Sequence, residues 1–99
     1  MVIQVNSLVS QAASEDDGSA VFAELSQALD REDIVTLSFA GLKTASTSFV
    51  NTAFVPLIDL MSFDEIKRRL KIIESSRQIN HMIKWRLEAE AKPLAGAQS

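Results

Sequence analysis

The spacing of apolar positions divides the chain into short alternating elements. Val2, Ile3 and Val5 predict a brief first strand, with Leu8 and Val9 as its continuation. The stretch SEDDGS, Ser14 to Ser19, is polar and reads as a turn leading into a helix, its carboxylates near the positive helix N-terminus. Val21, Phe22, Leu25 and Leu29 then recur at helical spacing to about Asp30, with Glu24, Gln27 and Asp30 on the wet face. Ile34 to Phe39, IVTLSF, is the clearest strand, with Val35, Leu37 and Phe39 as its inward face. Thr36 and Ser38 break the apolar run that full burial on both faces would produce, so the second face is expected to be only partly covered.

A hydroxyl-rich loop follows, Thr44-Ala45-Ser46-Thr47-Ser48. It opens a very apolar helix through Phe49, Val50, Ala53, Phe54, Leu57, Ile58 and Met61. Pro56 has no N–H to give the Thr52 carbonyl, which predicts a kink or break near it. Ser62-Phe63-Asp64-Glu65 has the spacing of a capping box and starts a short helix that ends near Leu70. Leu70 to Ile73 predicts a last strand. Ser75-Ser76-Arg77-Gln78 has the same capping spacing and opens a final helix with Ile79, Met82, Ile83 and Leu87 on its inner face. Strands alternating with helices predict an α/β fold. Its sheet would be small, of 3–4 strands, mostly parallel or mixed, with flanking helices. Residues 1–92 are expected to form a single domain, and 93–99, small and polar, a flexible C-terminal tail.

Composition narrows the chemistry. Of 99 residues, 46% are apolar, which is enough for one core. The absence of cysteine removes disulfides and thiolate ligands, and a single histidine, His81, cannot make a two-histidine metal site. The N-terminus lacks the basic and apolar regions of a signal peptide, and no run approaches the about 18 apolar residues of a membrane span. A cytoplasmic protein with no membrane partner is the expectation. The net charge of −3 is uneven. Residues 1–62 hold two basic and eight acidic side chains, and residues 63–99 hold eight basic and five acidic.

Four stretches, taken in order, carry a resemblance. They are SEDDG ahead of an amphipathic helix; IVTLSFAGL, Ile34 to Leu42; ASTSFVNTAFVP, Ala45 to Pro56; and SFDEIKRRLKII, Ser62 to Ile73, followed by the Ser-capped last helix. The chain resembles the STAS-like domain family of unknown function, related to anti-sigma-factor antagonists, over about residues 2–88. The resemblance implies a small sheet flanked by helices. It also implies a regulatory, protein-binding role, in which a serine or threonine after a central strand is phosphorylated by a histidine-kinase-type ATPase acting in trans. Carried onto this chain, the phosphoacceptor candidates are Thr47 and Ser48, within a partner-binding loop of Thr44, Ser46, Thr47, Ser48, Phe49 and Asn51. The family usually has an aspartate just before the acceptor and glycines after it; here these are Ser46, Phe49 and Val50.

Other candidate chemistry reads as structural. Any one of the loop hydroxyls can serve as a helix cap. Glu15, Asp16, Asp17 and Asp33 do not have calcium-loop spacing, so neither a metal nor a cofactor is expected. His81 reads as a half-exposed helix residue. Lys67, Arg68, Arg69, Lys71, Lys84, Trp85 and Arg86 form the one basic and aromatic concentration. Glu65, Glu74 and Glu88 offset it, so a solvated face is expected rather than nucleic-acid binding. With no nucleophile–base pair or phosphate loop in view, the chain is expected not to be an enzyme. The alternative to a phospho-switch is a constitutive assembly protein, for instance a homodimer, using apolar surface around Val50, Phe54 and Trp85.

Overall fold

A computed structural model describes residues 1–91. The tail expected at 93–99 lies outside the described residues. Strand β1 spans Val2–Gln4, β2 Val35–Ser38 and β3 Leu70–Ile73; helix α1 spans Glu15–Arg31, α2 Thr47–Ala53, α3 Phe63–Arg69 and α4 Arg77–Glu90. The strands form a parallel sheet in the order β1-β2-β3, with Ile3 beside Leu37, and Val35 and Leu37 beside Leu70 and Ile72. The fold is therefore α/β, as the alternation of elements predicts.

Each new strand is added on the same side of the last. Right-handed crossovers in one direction place their helices on one face of the sheet. Burial follows this rule. Ile3, Val35, Leu37 and Leu70 point into the core with Phe39, Phe49, Phe54 and the inner stripes of the helices. The opposite face carries Val2, Gln4, Thr36, Lys71 and Ile73, with Val2 57% and Ile73 42% exposed. Ser38 shares that face yet is buried, its Oγ accepting from the Ala40 N–H at 3.3 Å. The polar Thr36 and Ser38 fit a strand with only one fully apolar face.

Some element limits differ from the sequence pattern. Val5 does not extend β1; it starts a 3-10 turn, Val5–Ser7, and drops its side chain into the core. Leu8 and Val9 pack against the core from outside any strand. Ile34 lies outside β2 and is 38% exposed. The long apolar helix is two pieces, α2 and a 3-10 segment, Val55–Asp59, with Pro56 in its first turn. That break is the one the missing proline N–H predicts. No helix among the described residues is long and apolar enough to cross a membrane.

Candidate functional site

The site is the bend from β2 into α2. Gly41 takes φ +84, a left-handed conformation that favours glycine, and the Leu42 N–H closes the turn onto the Phe39 carbonyl. The following segment is held from two sides. On one side Ala45 bridges Ala12, and the Ser46 N–H donates to the Ala12 carbonyl at 2.9 Å. On the other, the Gln78 side chain takes the Ala45 N–H at 3.0 Å and donates to the Ala45 carbonyl at 3.1 Å. Ser76 adds a bond from its hydroxyl to the Lys43 carbonyl. The bend thus has a fixed backbone despite its loop composition.

The hydroxyls divide by role. Ser46 is the N-cap of α2: its Oγ accepts from the Phe49 N–H at 3.0 Å and donates to the Ala13 carbonyl. This is the capping role expected of one of them. Thr44, Thr47 and Ser48 are exposed. Thr47 Oγ1 lies 3.8 Å from the Met82 thioether, and no side-chain hydrogen bond is formed by Ser48 among the described residues. Asn51, one turn on, is also exposed, and its Oδ1 accepts from Arg86 Nε at 2.7 Å.

Phe49 departs from its expected place in a partner-binding loop. It is fully buried, in a cluster with Phe39 and Phe54 whose ring centroids stand 6.3–6.4 Å apart. The cap at Ser46 begins the helix in a phase that turns position 49 inward. Below α2, Gly18 of α1 allows the two helices to touch. A Cβ there would come 2.7 Å from the Phe49 carbonyl oxygen and from Thr52 Cβ. The glycine therefore lets α1 pack against the backbone of α2 directly behind the bend.

The remaining candidates scatter. Asp17 closes a capping box with Ser14 at the start of α1. Its carboxyl is held below the usual range, chiefly by the Ser14 N–H, with the Ala13 N–H and the Ser14 hydroxyl adding to this against the opposing cost of burial. Asp33 instead faces Arg68 and Arg69, so these acids do not converge. His81 is exposed on α4. Val50 and Phe54 are sealed in the core and contribute no surface for assembly, whereas Trp85 is 50% exposed with the Arg86 guanidinium over its ring. Inward packing claims Val50 and Phe54 because α2 lies between α1 and α4.

Sequence reasoning missed two supports of the site. The Ala12–Ala13 segment has no side-chain signal. Gln78 has capping spacing from Ser75, but Ser76 is the N-cap and Gln78 reaches across to Ala45. Away from the site, at α3, Ser62 is the expected N-cap, but the box is not closed, because the Glu65 carboxylate faces Arg68 and Arg69.

The model of one protein family, the STAS-like domain of unknown function, matches residues 17–80. The match runs from the start of α1 to the first turn of α4, and so contains the whole bend. No curated protein and no solved structure matches the chain. A match over more than half the length, on a parallel sheet with flanking helices, places this chain in the family of STAS-like domains of unknown function.

Proposed function

We infer that this STAS-like domain is a regulatory protein-binding module that meets its partner through Thr44–Ser48 and the first turn of α2. Thr47 or Ser48 is the phosphoacceptor, and a histidine-kinase-type ATPase acting in trans is the donor. One observation carries the reading. At the bend, Ser46 and Phe49 are committed to cap and core, while the two hydroxyls between them are exposed on a backbone fixed from both sides. In this reading the chain is a substrate and a binder rather than a catalyst. It is cytoplasmic, where such an ATPase finds ATP.

The step is simple phosphoryl transfer. The hydroxyl oxygen attacks the γ-phosphorus of ATP, the bond to the β-phosphate oxygen breaks, and the hydroxyl proton leaves to solvent or to a base of the ATPase. The product adds a charge of about −1.5 to −2 to a surface that has no ionised side chain at positions 44–52. That change is large enough to alter which partner the bend accepts.

Incubation with the ATPase and ATP, followed by intact-mass measurement, should show the gain of one phosphate. Thr47→Ala/Ser48→Ala should abolish the gain and alter partner binding. No mass change, with partner binding unaffected in the double variant, removes the bend from any switching role.

A further inference from the structure

Helix α4 is a wall between two surfaces. Gln78, Met82 and Arg86 face the bend and α2. Asn80, Lys84 and Glu88, on the same helical spacing, face the other way, into a groove of about 380 Å³. The floor of this groove is Leu70 and Ile72 of β3, and its apolar walls are Phe63 and Ile66 of α3 and Ile83 and Leu87 of α4. Its rim carries Lys67 and Lys84.

The groove runs along a sheet edge. Among the described residues β3 pairs with β2 alone, and the Ile73 carbonyl accepts from the Phe39 N–H on the β2 side. Backbone groups alternate in direction along a strand, so Ile72 turns its N–H and C=O outward, away from β2. An edge strand beside an apolar groove is the arrangement that accepts an added strand. Main-chain bonds give such a strand its affinity, and every second side chain enters the groove.

We propose that this edge and groove bind an extended, acidic peptide segment of a protein partner as a fourth strand beside β3. Its apolar side chains fill the groove, and its carboxylates meet Lys67 and Lys84. Charge selects this occupant. Lys84 is exposed and pairs with no carboxylate among the described residues, and Lys67, 5.1 Å from the centroid of the Phe63 ring, has the exposed Asp64 at 3.8 Å. A second copy of the chain would bring its own Lys67 and Lys84 against the same residues, a like-charge arrangement by which edge lysines commonly prevent self-pairing. Glu88, one helical turn beyond Lys84, adds the one negative charge among the groove's lining residues, leaving the lysines in the majority. This surface is separate from the bend and does not depend on its phosphorylation.

The probe is a fluorescein-labelled peptide of alternating glutamate and valine, titrated into the full chain and followed by anisotropy and by backbone amide shifts. Binding should move the amides of 70–73 and 80–88. Lys67→Glu/Lys84→Glu, both on the exposed rim, should weaken it about tenfold or more. N-methylation of alternate peptide residues should weaken binding about as much in one phase and leave it intact in the other, the signature of an added strand. Several results would overturn the proposal: no binding, shifts confined to other residues, or equal binding of a peptide with lysine in place of glutamate. Binding that appears only in a chain ended at Ala91 would also overturn it, by showing that residues 92–99 of the chain itself are the occupant.

Discussion

The hydroxyl run at Thr44–Ser48 and the basic run at Lys67–Lys71 pose one problem in two chemistries. Each offers several side chains of the same type to a site of interest. In each, the fold takes the middle member for itself. Ser46 caps α2 and ties it to Ala13. Arg69 turns inward and donates to the carbonyls of Leu29, Glu32 and Asp33 at the end of α1 and the entry to β2. The outer members, Thr47 and Ser48 in one case and Lys67, Arg68 and Lys71 in the other, stay in water. Residue type marks a candidate region; the phase of the element decides which members remain available to a partner.

The largest test of this division is at Arg69, whose side chain is only 16% exposed. A helix leaves its last carbonyls without partners, and this guanidinium satisfies two at the α1 terminus and a third beyond it. Arg69→Ala should lower stability by about 2–3 kcal/mol in urea unfolding, the usual effect of losing charged hydrogen bonds to backbone. Lys67→Ala should stay within about 0.5 kcal/mol. Equal effects would mean that the basic run is one solvated face after all.

The same contrast at the bend is smaller. Ser46→Ala removes a cap and a bond to Ala13 and should cost about 1–2 kcal/mol. Thr47→Ala and Ser48→Ala should each fall within about 0.5 kcal/mol. Thermal unfolding of the three variants orders them directly. A large loss at Thr47 would indicate that its contact with Met82 is structural, and would weaken its claim as an acceptor.

Much of the fold was legible because it depends on short-range pattern. The apolar spacing marks α1 and α4, the β-branched run marks β2, and Pro56 marks the break after α2. What was hidden depends on partners far along the chain. Ser75 and Gln78 have the spacing of a box, yet Gln78 bonds to Ala45, 33 residues away. Val5 continues the alternation of a strand, yet the chain turns there, because a 3-10 turn buries it equally well. Phe49 follows three hydroxyl-rich positions and reads as loop until the cap at Ser46 fixes the helical phase. Gly18 reads as a turn glycine and is instead a helix contact, visible only once α2 is placed against α1. Periodicity gives the buried face of an element but not what lies opposite it.

The finest comparison separates two serine caps, Ser46 and Ser14. Only Ser14 is joined by a carboxylate in a reciprocal box, so only α1 should have an acid-sensitive start. The Asp17 carboxyl is held low, first by the Ser14 N–H and then by the Ala13 N–H and the Ser14 hydroxyl. A carboxylate whose folded value lies below its unfolded one stabilises the protein fully above the unfolded value, about pH 4, and loses that contribution as pH falls through the folded one. Asp17→Asn should therefore lower the urea midpoint by a constant amount at pH 5–7, and the gap should close as the pH drops below about 4. Ser46→Ala should show a gap that does not change with pH across the same range. A gap at Asp17 that persists undiminished to the acid limit would mean that the charge is not what holds the start of α1.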